Sequence, residues 1–115
     1  MSPWIIGAVA DAPQIVLLSW SVFEVPYSQD TRHTTRHFVG LELEFRHVRV
    51  SSPVLTFDPV TRRGMTRSGR IYELRGRSGA DADARYVWAR WKAMNRVLQE
   101  WDVTADVVRD LQGPS

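Results

Sequence analysis

Residues 64–74 read GMTRSGRIYEL, and this stretch decides the fold that the sequence predicts. Two short runs flank the pair Ser68-Gly69, which is typical of tight turns between antiparallel strands. Glycine suits such a turn because it adopts backbone conformations that other residues avoid. We therefore predict a β-hairpin in which residues 64–67 pair with residues 70–74.

Apolar or alternating runs on both sides of this hairpin predict further strands at residues 4–9, 14–25, 38–47 and 53–57. The apolar alternation that starts at Phe38 changes phase near residues 46–48, which predicts either a β-bulge or a turn there. Residues 26–35 are polar and predict a loop or a frayed strand start, where a functional segment could lie. The expected architecture is an antiparallel β-meander of five or six strands, with a small curled barrel as the alternative.

A helical pattern follows the predicted strands. Asp81 is the expected N-cap, and Asp83 lies in the first turn, where a negative charge favours the helix dipole. Apolar residues then recur at helical spacing, and Trp88 widens this stripe at its edge, where we expect partial exposure. The members of the stripe are Ala84, Val87, Trp91, Met94, Leu98 and Trp101. A second short helix is predicted from Thr104, as its N-cap, to Leu111. The fold class is therefore α+β, with a C-terminal amphipathic helix packed on the sheet.

Length and composition narrow the classes of function. A chain of 115 residues predicts a single domain over 1–115, mostly β to residue 79 and helical over 80–111. The absence of cysteine excludes disulfides, thiolate nucleophiles and cysteine-ligated metals. No apolar run approaches the roughly 20 residues of a bilayer span, and the N-terminus lacks the basic region of a signal peptide. We expect a cytoplasmic protein with no membrane partner and no small-molecule cofactor.

Positive charge is concentrated in the middle of the chain. Residues 31–79 hold ten of the fifteen Lys and Arg residues and four acidic residues, whereas both flanking segments are acidic. This segregation favours an anionic partner, either a nucleic acid or an acidic protein surface. Fourteen of the fifteen bases are arginine, whose planar fork suits phosphate and carboxylate groups.

The predicted partner-binding residues are the arginines of the strands and loops together with one tyrosine for base stacking. They are Arg32, Arg36, Arg62, Arg63, Arg67, Arg70, Arg75 and Tyr72. The alternative interpretation is a solvated arginine surface that the acidic flanks balance in three dimensions.

Two histidines raise the question of a metal or a catalytic site. His33 and His37 are four residues apart, but Thr34-Thr35 favours extended chain, where such positions lie about 13 Å apart. We therefore predict no metal site. His33, His37 and either Glu42 or Glu44, with an arginine, have the composition of a metal-independent ribonuclease. No nucleophile–base pair occurs at a defined spacing, so non-catalytic binding is the first hypothesis and the ribonuclease an alternative.

Several segments together resemble a known family. They are residues 35–40 (TRHFVG), 57–59 (FDP), 64–76 and 81–88 (DADARYVW), with Trp91. These segments resemble a family of small bacterial proteins carried as cargo by phages, plasmids and integrative elements. The shared motifs are structural and transfer no catalytic residue. The resemblance implies a protein that binds a host complex, as anti-CRISPR and anti-restriction inhibitors do. Direct binding of nucleic acid is the competing hypothesis.

Overall fold

The computed structural model describes residues 3–27 and 30–113. The elements in chain order are β1 (Ile5–Ile6), β2 (Ile15–Tyr27), β3 (Asp30–Glu42), β4 (Val48–Val50), β5 (Val54–Asp58), β6 (Arg63–Thr66), β7 (Ile71–Leu74), α1 (Ala82–Met94), β8 (Trp101–Asp102) and α2 (Thr104–Gln112). The described strands form one sheet in the order β1-β5-β6-β7-β2-β3-β4, and β8 pairs with β2. The α+β class is confirmed. The hydrogen-bonded order does not close into a barrel.

The sheet is mixed, so the prediction of a purely antiparallel meander is wrong in one respect. β5, β6 and β7 form one antiparallel group, and β2, β3 and β4 form another. The two groups join through a parallel pairing that places Ile15 of β2 opposite Tyr72 of β7. A second parallel pairing places Ile5 of β1 opposite Thr56 of β5. Residue periodicity specifies that a segment is a strand, but it does not specify which strand becomes its neighbour.

A bulge in β2 decides which side chains face each side of the sheet. The register against β3 shifts between Leu18 and Ser21, and Ser19 takes a left-handed φ of 46°. Leu17 before the bulge and Trp20 after it consequently lie in the same core cluster, although their spacing is odd. We call the side of the sheet that carries this cluster the inner face. Ser21 and the alternate residues that follow it lie on the opposite, outer face.

The inner core is sealed by the curl of the sheet and by α2. Phe38 of β3 reaches Phe57 of β5 with 5.9 Å between ring centroids, although three strands separate β3 from β5 in the sheet order. Trp4 stacks on Phe57 at 4.7 Å. Val107 of α2 is completely buried against the same cluster. The inner core therefore unites the N-terminal segment, the curled sheet and the second helix.

The outer core lies beneath α1, which packs on β3 and β4. Trp88 is 4% exposed and is the centre of this cluster, so the expectation that its position at the edge of the stripe leaves it partly exposed is wrong. The predicted stripe also ends early. Arg96 takes a left-handed φ of 55° just after α1, which ends the helix and leaves Leu98 exposed and Trp101 in β8.

The central hairpin is confirmed, with Arg63 opposite Glu73 and Met65 opposite Ile71. Asp81 is confirmed as the N-cap of α1, where its carboxylate accepts a hydrogen bond of 2.8 Å from the Ala84 amide. Thr104 begins α2, but Val103 occupies the N-cap position, because the Thr104 hydroxyl bonds to the Val22 backbone instead.

The structure decides two predicted boundaries. Residues 26–35, expected as a loop or a frayed strand start, are strand in their described part, because β2 and β3 form a long hairpin. Residues 28 and 29 of this hairpin lie outside the described part. The expected strand at 38–47 ends at Glu42, and the alternative of a turn before β4 is the one observed. Neither described helix is long and apolar enough to cross a membrane.

Candidate functional site: a cationic corner beside helix α2

The eight predicted partner-binding residues do not form one surface. Arg62 and Arg63 lie where β6 begins, and Arg67 and Arg70 lie beyond its other end, in the turn to β7. Four residues of extended chain span about 13 Å, so the two pairs occupy opposite ends of the hairpin. Arg32 is exposed on β3, in the other antiparallel group. The arginine-rich segment is therefore divided among separate parts of the surface.

The Arg36 side chain is held within the fold by other side chains. Its Nε donates to the Glu24 carboxylate at 3.0 Å, and its guanidinium lies 4.5 Å from the centroid of the Trp4 ring. The side chain is only 14% exposed. A guanidinium that is paired, stacked and mostly covered contributes to packing more than to binding. Arg36 therefore fits the role of a partner-binding residue poorly.

Tyr72 cannot stack on a base. The residue is 2% exposed in the inner core, and its hydroxyl accepts a hydrogen bond of 3.0 Å from Arg49 Nε. The expected contact with a partner is therefore wrong, because β7 turns Tyr72 and Leu74 to the inner face. Tyr72 and Leu74 are two residues apart in a strand, and this spacing predicts that their side chains lie on the same face of the sheet.

Four arginines lie at the end of the hairpin where β6 begins and β7 ends, and two of them pair with one carboxylate. We call Arg62, Arg63, Arg75 and Arg77, with Glu73, the cationic corner. Arg63 Nε donates to Glu73 at 3.1 Å, and Arg75 Nη2 lies 2.7 Å from the other oxygen of the same carboxylate. Burial opposes the ionisation of Glu73, but the hydrogen bonds from Arg75 and Arg63 outweigh it and lower its pKa. A single carboxylate thus pairs with two of the four guanidinium groups.

Arg62, unlike Arg63 and Arg75, has no carboxylate partner among the described residues. Its Nη2 donates to the Gly76 carbonyl at 2.6 Å, and its guanidinium lies 5.9 Å from the centroid of the Trp20 ring. Its Nε is buried with no hydrogen-bond acceptor in the described part of the chain. The backbone is left-handed at φ 62°, which costs a non-glycine residue about 1–2 kcal/mol. A buried donor without a partner is also unfavourable.

A cavity of about 390 Å³ opens beside Arg62, between the corner and the C-terminal part of α2. Arg77, Ser78 and Gln112 supply its other polar groups, and Trp20 and Leu111 supply apolar lining. Two guanidinium groups, a hydroxyl and an amide are donors that suit a phosphate or carboxylate. Arg77 was not among the residues that the sequence predicted to bind a partner, although its position two residues after Arg75 could have suggested it. No feature of the sequence indicated that α2 would line this cavity.

The residues of the ribonuclease hypothesis are not brought together. His37 and Glu42 are five positions apart on β3, which corresponds to about 17 Å, and His33 lies farther away along the same strand. Glu42 is buried and lies 3.4 Å from Arg49 Nη1. Glu44 is exposed in the following turn. This grouping is therefore contradicted by the geometry. Within the described residues, no group of three or more histidines and acids is placed to hold a metal ion.

His37 instead stabilises the outer core. It is 2% exposed, and its Nδ1 lies 2.8 Å from the Ser51 carbonyl, so this nitrogen carries a proton and donates. Its Nε2 lies 2.8 Å from the Thr35 hydroxyl, and its ring centroid lies 4.6 Å from that of Trp91. Burial lowers the pKa of His37, the bond to Ser51 opposes this change, and the charge of Arg67 adds to the lowering.

We expect protein stability to fall on acidification because of His37. Its pKa is lowered in the folded state, so unfolded chains bind its proton first as the pH drops below about 6.5. The free energy of unfolding in urea should therefore be smaller at about pH 5 than at about pH 7.5. His37→Gln should reduce this difference, because the substitution removes the buried imidazole whose pKa is lowered. Equal pH profiles for wild type and His37→Gln would contradict the assignment.

Comparison of the chain with protein-family models, with curated proteins and with solved structures gives no match. The resemblance to mobile-element cargo therefore stays a prediction from the quoted motifs.

Proposed function

We propose that this protein is a non-catalytic binding protein that holds an anionic macromolecule through the cationic corner. The observation that carries the proposal is Arg62, whose Nε is buried without an acceptor beside a cavity that Arg77 also lines. A phosphate or carboxylate in this cavity would accept from both guanidinium groups. Charge-assisted bonds of this kind are roughly twice as strong as neutral ones.

The corner favours contacts with oxyanions over contacts with bases. The corner contains four guanidinium groups and one carboxylate, which pairs with Arg63 and Arg75, so it keeps an excess of positive charge. Trp20 is the aromatic ring that lines the cavity, and it is 1% exposed. A base therefore has no open ring to stack on there. Binding to a nucleic acid would use its phosphates, which position a protein without selecting sequence.

The resemblance to mobile-element cargo supports a more specific form of the proposal. A small protein with a cationic corner is suited to bind an acidic surface of a host defence complex and inhibit it, as an anti-CRISPR protein does. Direct binding of nucleic acid is the second candidate, and the same corner supports it. Both candidates share the chemistry of an oxyanion seated between Arg62 and Arg77, and one variant can therefore test both.

Charge reversal at Arg62 and Arg77 together should weaken binding by about a hundredfold or more, because two charge-assisted bonds are lost and each is worth roughly 1.5–3 kcal/mol. The matched control reverses Arg90 and Arg96, which changes net charge equally at exposed positions away from the corner. Affinity would be measured by fluorescence anisotropy with labelled single- and double-stranded DNA and RNA and with polyglutamate. A salt series should show binding that weakens steeply as salt rises.

The outcomes separate the candidates. Corner-dependent binding of DNA or RNA, with strands intact on a gel afterwards, would support the nucleic-acid candidate. Corner-dependent binding of polyglutamate alone would support an acidic protein surface. Equal weakening by the corner and control variants, or no binding of any probe near physiological salt, would overturn the proposal. Cleaved strands would contradict its non-catalytic part.

A further inference from the structure

A second cavity, separate from the cationic corner, lies on the outer face between β2 and α1. Its volume is about 290 Å³, and Ser21 lies in its lining. Ser21 is 3% exposed, and its hydroxyl has no hydrogen-bond partner among the described residues. The bulge in β2 turns this serine away from the inner core and towards α1. A hydroxyl buried without a partner normally bonds a water molecule or a ligand.

The walls of this cavity are apolar and flat. Phe23 and Trp88 stack with ring centroids 4.6 Å apart and planes inclined by 15°. Small side chains on the helical side, Ala80, Ala84 and Ala89, leave the space that the cavity occupies. The Trp88 indole N–H already donates to Glu100 at 2.7 Å, so it is not an open donor. The walls therefore suit an aromatic or aliphatic body.

The remaining lining residues are charged, with an excess of positive charge. Glu100 accepts hydrogen bonds from Lys92 and from Trp88, so its carboxylate is already paired. The Arg85 side chain is exposed, and its guanidinium has no hydrogen-bond or ion-pair partner in the described part of the chain. A ligand carboxylate would give Arg85 a partner without breaking an existing bond.

We propose that this cavity binds a small apolar carboxylate with a hydrogen-bonding group at its opposite end. The carboxylate pairs with Arg85, the apolar body packs against Phe23 and Trp88, and the far polar group bonds to the Ser21 hydroxyl. The volume is at the lower limit of small-molecule sites, so the ligand is smaller than most drug molecules. A phenolic carboxylate of the size of para-hydroxyphenylpropionate has all three features.

The test is calorimetric and NMR titration of the full chain with para-hydroxyphenylpropionate and with phenylpropionate, which lacks the hydroxyl. We expect the phenol to bind about fivefold to tenfold more tightly, as one hydrogen bond of about 1 kcal/mol or slightly more allows. Ser21→Ala should abolish this preference and keep the binding of phenylpropionate. Arg85→Gln should weaken both ligands.

Steric variants supply a further check on the location. Ala89→Leu should fill the cavity and abolish binding of both ligands. The change that each ligand causes in the NMR signal of the Trp88 indole should then disappear. Ala93→Leu is the matched control, because Ala93 is exposed on the same helix and does not line the cavity. The proposal is overturned if neither ligand saturates at millimolar concentration, since the cavity then holds water only. It is also overturned if Ser21→Ala keeps the phenol preference or if both leucine variants bind equally.

Discussion

Replacing Trp88 with alanine is expected to lower the free energy of unfolding by about 3–5 kcal/mol, the usual cost of removing a buried aromatic side chain. Trp88 is 4% exposed, and its ring stacks on Phe23 at 4.6 Å and on Trp91 at 5.0 Å. Truncation would also leave Glu100 without the indole donor at 2.7 Å. Loss of packing is the dominant effect because Trp88 joins α1 to the sheet.

Leu98→Ala is the matched control for this prediction. In the sequence, Leu98 continues the apolar stripe to which Trp88 belongs, but it is 85% exposed after α1 ends. Its truncation should change stability by less than about 0.5 kcal/mol. Urea unfolding should be monitored by far-ultraviolet circular dichroism, because the loss of Trp88 itself changes the tryptophan fluorescence. Similar losses for the two variants would show that α1 does not pack as described.

Gly64→Ala is expected to destabilise the fold by about 1–3 kcal/mol through overpacking of the inner core. A Cβ at this position would lie 2.8 Å from two ring carbons of Phe38, closer than carbon atoms approach one another. Phe38 cannot move aside easily, because it is completely buried and its ring contacts those of Phe57 and Tyr72. Glycine at residue 64 is therefore required by the curl that brings β3 over β6.

A double-mutant cycle tests this steric explanation. Phe38→Leu removes the ring carbons that the new methyl group would meet, so Gly64→Ala should cost less in that background than in wild type. Gly7→Ala is the control, because its Cβ would lie 3.5 Å from Thr56, an ordinary contact distance. Additive effects of the two substitutions, measured by urea unfolding, would rule out a clash between residues 38 and 64.

Much of the local structure could be predicted from residues close together in the chain. The hairpin over β6 and β7, the long strand β2 and the Asp81 cap follow from turn chemistry, alternation and capping preference. The apolar stripe predicted α1 but not its end at Met94. No glycine or proline marks that end, and the left-handed Arg96 that terminates the helix has no strong sequence signal.

The candidate site was predictable only in part. Local charge indicated Arg62, Arg63 and Arg75. The structure pairs Arg63 and Arg75 with Glu73 and places Arg62 over the Trp20 ring. Local charge did not distinguish them from Arg36, which packs on Trp4. The difference depends on which residue lies opposite each arginine across the sheet. That residue is distant in the chain, so local patterns do not reveal it.

The sequence by itself determined the α+β class, most of the strands and the concentration of positive charge in residues 31–79. These properties depend on side-chain type and short-range spacing, which are visible in a linear chain. Only the tertiary structure decided the parallel pairing of β2 with β7, the burial of Tyr72 and His37, and the two cavities beside Arg62 and Ser21. The physical reason is that burial and pairing are set by contacts between distant segments. The β2 bulge and the curl of the sheet create those contacts, and neither has a local signature in the chain.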